Sequence, residues 1–174
     1  DASLWYIYAV YQYVRFSRDL KTIQKDLYAV LKEIVDYYEK GTRYNIHRET
    51  DGLIYAGAEG VQLTWMDAKV GDWVVTPRKG KAVEINALWY NALMVMSFLA
   101  REMNLPEERV WYDTLAGKAG TSFHDVFWYE EGQYLYDFVD GEIRNSAIRP
   151  NQIFAVSLPY SMLSKAQQRK VVAV

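Results

Sequence analysis

Between Gly41 and Lys81 the chain carries six of its ten glycines together with Pro77, and segments of helical periodicity flank this stretch on both sides. Glycine loses the most backbone freedom on ordering and proline lacks an N–H, so no long helix runs through these residues. A connection of about forty residues also far exceeds an ordinary loop, and long loops inside compact domains usually carry function. The fold must therefore be helices on either side of one large, decorated loop.

The flanking periodicity supplies those helices. Ala2 to Phe16 is apolar on nearly every side, the pattern of a buried helix. Ser17-Arg18-Asp19 then breaks the pattern and offers an N-cap. From Leu20, apolar Ile23, Leu27, Leu31, Ile34 and Tyr38 recur opposite Lys21, Lys25, Lys32 and Glu39, which predicts an amphipathic helix ended by Gly41. Val83 to Met103 is helical with a wide apolar arc, and Pro106, with Glu107 and Glu108 behind it, opens a helix reaching about Trp128. Asn151 to Tyr160 reads as a short apolar helix closed by Pro159, and Ser164 starts another. Hairpins are expected at Tyr44–Tyr55, with Asp51-Gly52 at the tip, and at Gly132–Ile143, turning at Asp140-Gly141. About six helices with one or two short β-hairpins make an all-α class. No fixed-period repeat points to a solenoid.

Composition excludes several functions. Twenty basic and 22 acidic side chains leave a net charge of −2 with no run of like charge, so nucleic acid is not the expected partner. No apolar stretch reaches the roughly 18 residues of a bilayer span without Lys, Arg, Asn or Glu interrupting it, so no membrane partner is expected either. Zero cysteines exclude disulfides and thiolate chemistry and fit a cytoplasmic protein. His47 and His124 lack metal-ligand spacing, and no glycine-rich phosphate loop follows a strand, so no metal and no cofactor are expected. Fifteen tyrosines and six tryptophans are many, and aromatic faces suit the apolar face of a pyranose, although most such rings simply pack between helices.

Within the long loop, Thr64-Trp65-Met66-Asp67, Thr76-Pro77-Arg78 and Val83-Glu84-Ile85 form a dense block, preceded by Asp1-Ala2-Ser3-Leu4-Trp5 and Asp51-Gly52-Leu53 and followed by Arg149-Pro150-Asn151-Gln152. In this order they resemble the C-terminal glucosidase domain of glycogen-debranching enzymes, the amylo-α-1,6-glucosidase family. The resemblance spans nearly the whole chain and implies an (α/α)6 toroid of the six-hairpin glycosidase type, of which residues 1–174 supply about half. It also implies a single partial domain, lacking portions before Asp1 and after Val174, that acts on an α-glucan such as glycogen or a limit dextrin. The remainder of the parent polypeptide is then a partner, and faces left open would favour self-association.

The family's general acid sits in the Trp-Met-Asp motif, which assigns that role to Asp67. Trp65 and Met66 would desolvate its carboxyl and favour the protonated form, whereas an inward-pointing Lys69 would oppose this. Asp51, Glu59, Asp72, Glu84 and Asp137 are poorer candidates for the second carboxylate, and the resemblance puts the general base beyond Val174. The isolated chain is then expected to be inactive. Residues expected to serve the sugar are Trp5, Trp65 and Trp89 as stacking faces, with Asp51, Lys69, Asn86, Asn91, Asn151 and Gln152 as hydrogen-bonding groups. Arg78 and Glu84, six apart, are expected to pair and hold the loop. Two other readings stay open: an invertase- or trehalase-like glycosidase on the same toroid, and a non-catalytic glucan-binding or scaffolding piece.

Overall fold

A computed structural model describes residues 1–174. Helix α1 spans Ala2–Ser17. Asp19 then caps α2 (Leu20–Thr22) by accepting the Thr22 N–H at 3.0 Å. A π-helical turn over Ile23–Leu27 leads into α3 (Tyr28–Lys40), which Gly41 ends at φ 86°. The π turn inserts one extra residue, so the buried positions are Ile23, Tyr28, Leu31 and Val35. Leu27, Ile34 and Tyr38, assigned to this face by regular spacing, are only partly buried.

The glycine-rich stretch folds into paired two-residue strands. β1 (His47–Arg48) pairs antiparallel with β2 (Ile54–Tyr55), with the Asp51-Gly52 turn between them as expected. β3 (Lys69–Val70) pairs with β4 (Trp73–Val74) around Gly71. β5 (Lys81–Ala82) runs directly into α4 (Val83–Glu102), and α5 (Pro106–Phe127) follows with proline in its first turn. β6 (Trp128–Tyr129) and β7 (Tyr134–Leu135) form a third hairpin. β8 (Phe138–Asp140) and β9 (Ile143–Asn145) form a fourth, and β8 also pairs with β5 to make the only three-stranded sheet. Four hairpins thus replace the one or two expected, because short pairings satisfy the backbone of segments too rich in breakers for helix. A 3-10 turn over Pro150–Ile153 runs into α6 (Phe154–Ser157), and Ser164 opens α7 (Lys165–Ala173) with a reciprocal capping box to Gln167.

Helix α4 is the centre of this helix-rich arrangement. Fifteen of its 20 residues are buried, and it packs against α1, α5 and α6. It is long and apolar enough on average to cross a bilayer, although Glu84, Asn86 and Asn91 interrupt it as the sequence indicated, and 83 % of that apolar stretch is buried within the protein, which marks a core helix. Gly120 of α5 leaves room for the Tyr90 ring, which explains why the helix carries a residue of poor propensity there. A single cluster of 34 buried apolar residues joins α1, α3, α4 and α5 to the hairpins. Trp89, fully buried within it, would cost about 3–5 kcal/mol to truncate to alanine. The expectation of a wholly buried α1 is corrected: Leu4, Ile7, Val10, Tyr11 and Val14 are buried, but Tyr6, Tyr13 and Phe16 are exposed on the opposite face.

Candidate functional site

The long loop is fastened to the helical body by one buried charged cluster. Arg78, 5 % exposed, lies three residues before β5 and five before α4. Its Nη1 and Nη2 donate in parallel to the Glu84 carboxylate, with Nη2 to Oε2 at 2.6 Å, which is the pairing expected from their spacing. Its Nε donates to Asp137 Oδ2 at 2.8 Å, and Nη2 also reaches the Asp137 carbonyl at 3.0 Å. Nη1 further donates to the Thr64 hydroxyl at 3.2 Å, so every N–H of this guanidinium has an acceptor. Burial would favour the neutral form, but Glu84 and Asp137 reverse this and raise the Arg78 pKa above its ordinary value. Arg149 adds a second cation, donating from Nη1 to Asp137 Oδ2 at 2.6 Å. Two cations and two carboxylates leave the cluster neutral, as a buried charge cluster must be if it is not to be heavily destabilising.

From this cluster the loop is held through Asn151. The Asn151 amide donates to Asp137 Oδ1 at 2.6 Å and its oxygen accepts the Trp65 indole N–H at 2.8 Å. Its Nδ2 also contacts Met66 Sδ at 3.4 Å. Thr64, Trp65 and Met66, the three residues before Asp67, are therefore all tied to the cluster or to Asn151. Asp67 itself is exposed, so the desolvation expected from its neighbours is not present. Lys69 is exposed as well and donates to the Gly60 carbonyl at 3.1 Å. Beside it an open cleft of about 600 Å³ is lined by residues that include Glu59, Gly60, Asp72, Trp73 and Lys79. Asp67 is not part of that lining.

The other sequence-selected residues divide sharply. Trp65 presents an exposed ring, 52 % accessible, but Trp5 and Trp89 do not. Trp5 packs edge-on against Tyr8 and Phe154, while Trp89 is fully buried against Tyr38 and donates to the Gly52 carbonyl at 3.1 Å. Asn86 and Asn91, expected at a polar pocket, instead complete the packing of neighbouring backbone. Asn86 accepts the Ile54 N–H at 2.7 Å and donates to the Ile54 and Ala82 carbonyls, and Asn91 bonds both backbone groups of Tyr160. Gln152 is buried and accepts the Leu135 N–H at 3.1 Å. Asp51 accepts the Leu53 N–H and the Lys81 ammonium at 2.5 Å. Of the five secondary carboxylates, Asp51, Glu84 and Asp137 are thus engaged by cations, and Glu59 and Asp72 are exposed. The sequence offered Asp137 only as a candidate base and Arg149 only within a motif, so their pairing at the hub was missed, and exposed Trp73 was not singled out. The Arg78–Asp137 pair spans 59 positions, which no local pattern encodes.

The family model described as amylo-alpha-1,6-glucosidase matches residues 1–174, the whole chain. With a helix-rich body and a tethered loop that bears an exposed carboxylate, this defines a glycosidase domain of the glycogen-debranching type. The chain belongs to the amylo-alpha-1,6-glucosidase family. Comparison with curated proteins found no match.

Proposed function

We propose that this chain is the part of an inverting α-1,6-glucosidase that contributes the general acid, Asp67, to removal of single glucose branches from an α-glucan. The supporting observation is the fastening of Thr64, Trp65 and Met66 to a buried, fully paired cluster, which gives an exposed acid a defined place on an otherwise irregular loop. In the reaction, Asp67 protonates the glycosidic oxygen as the bond to the anomeric carbon breaks. A water activated by a carboxylate about 6.5–9.5 Å away adds from the opposite face, and β-glucose leaves. Asp51, Glu84 and Asp137 are held by cations, and on the family resemblance, not by elimination of the exposed Glu59 and Asp72, we assign the base to polypeptide outside these residues, with the helices here forming about half of an (α/α)6 toroid in a cytoplasmic enzyme. Trp65 offers its exposed ring to the sugar.

The test is release of glucose from a branched limit dextrin by the chain joined to the segment carrying the base, with the anomer followed by proton NMR. β-Glucose should appear first, and Asp67→Asn should lower turnover by about 10²–10⁴-fold. Full activity of Asp67→Asn, or initial release of α-glucose, rejects the assignment. Engagement of the three carboxylates also favours a second reading, in which the chain binds glucan without hydrolysing it. Retardation by glycogen in affinity electrophoresis, with no hydrolysis in the joined protein, would select that reading; preference for sucrose or trehalose would instead select another (α/α)6 glycosidase.

A further inference from the structure

We propose that Asn151 is not a sugar ligand but a positioning residue, which fixes the place of Asp67 by clamping Trp65 and Met66 onto the Arg78–Asp137 pair. The inference rests on the reading of Asp67 as the acid. An indole N–H can only donate and a carboxylate can only accept, so a side chain joining them must accept at one end and donate at the other. Asn151 does this over 2.8 Å and 2.6 Å while fully buried, so its orientation is dictated by its two partners. Aspartate would turn an oxygen toward Asp137, and leucine would offer neither group. Asn151 is itself firmly held: Arg149, two residues earlier, bonds the same Asp137 carboxylate, and Gln152, next in the chain, bonds the Leu135 backbone. The loop residues 61–68 have no helix or strand of their own. Restraint therefore passes from the Pro150–Ile153 turn to the loop, and Asp67, adjacent to Met66, is carried with it.

The decisive experiment compares the wild-type chain with Asn151→Leu and Trp65→Phe, using nitrogen-15 NMR and backbone hydrogen exchange. Six tryptophans give six indole signals, and the one missing in Trp65→Phe identifies Trp65. In Asn151→Leu that signal should shift and its proton exchange faster. Backbone exchange at residues 63–69 should rise by about tenfold or more while α4 and α5 stay protected. In the joined, active protein, kcat on limit dextrin should fall by about tenfold to a hundredfold because the acid is displaced, with a smaller rise in KM as the Trp65 ring loses its fixed place. Unchanged loop exchange overturns the proposal. So does a uniform loss of protection, which would make the residue merely structural, or a raised KM with intact kcat, which would make it a sugar contact. If Asn151→Leu does not fold, Trp65→Phe removes the same bond from the exposed end and must loosen the same residues, or the proposal fails. Activity retained by Asp67→Asn would refute the acid assignment separately, leaving the exchange result to judge the clamp.

Discussion

Arg78 illustrates how much one side chain can decide. Its five N–H groups all find acceptors on Thr64, Glu84 and Asp137, and no lysine could reproduce that fork. Arg78→Met should destabilise the chain by about 3–5 kcal/mol, read from the urea midpoint, because it strands the buried Glu84 carboxylate and leaves Asp137 with Arg149 as its one cation. A second prediction concerns Asp19, where the Thr22 hydroxyl and amide and the Tyr13 hydroxyl hold the carboxyl at about 2 instead of 3.8. With the folded value below the unfolded one, the contribution is complete above about pH 4 and disappears as pH falls through 2. Asp19→Asn should therefore flatten the fall of the urea midpoint between those pH values. Residue roles were legible in the sequence when partners were near: the Asp19 cap and the Arg78–Glu84 pair both follow from local spacing. Asn86, Asn91 and Trp89 were misread because type and position on a helix do not reveal whether a neighbouring backbone consumes their hydrogen bonds.

Among the elements, helices followed from periodicity, with the end of α3 read from Gly41 and the start of α5 from Pro106, but the face of α3 did not. The π turn moves Tyr28 into the core in place of Leu27, and nothing in a regular 3.6-residue count announces an inserted residue. Hairpins were legible where a turn dipeptide marks them, as at Asp51-Gly52 and Asp140-Gly141. The β5–β8 pairing was not, since it joins Lys81 to Val139. That pairing makes Gly80 irreplaceable: at φ 107°, an added Cβ would collide with the Val139 carbonyl and the Asp140 side chain. Gly80→Ala should cost about 2–4 kcal/mol in denaturant unfolding, whereas Gly60→Ala, with open space around it, should cost much less despite its positive φ.

At the scale of the molecule, α1 keeps one face in the core and turns Tyr6, Tyr13 and Phe16 outward, at 39 %, 43 % and 87 % exposure. These residues recur at helical spacing, with Ala9 between Tyr6 and Tyr13 and Ala2 one turn before Tyr6, an uncharged stripe on a protein otherwise rich in surface charge. Apolar stripes of this kind promote association. We expect concentration-dependent self-association through this stripe, lost in sedimentation experiments when Tyr6 and Phe16 are replaced with serine while unfolding free energy changes by less than about 1 kcal/mol, since neither lies in the core. The tether between Trp65 and Asn151 has a different consequence, in time. The two residues lie 86 positions apart, as do Met66 and Asn151 within one residue. During synthesis the loop bearing Asp67 emerges well before its anchor does, so the helices can begin to pack while the loop is still unshaped. The residues proposed to touch the substrate would then be among the last to take their final form, and a ribosome that stalls before Asn151 would leave a nascent chain whose chemistry cannot yet begin.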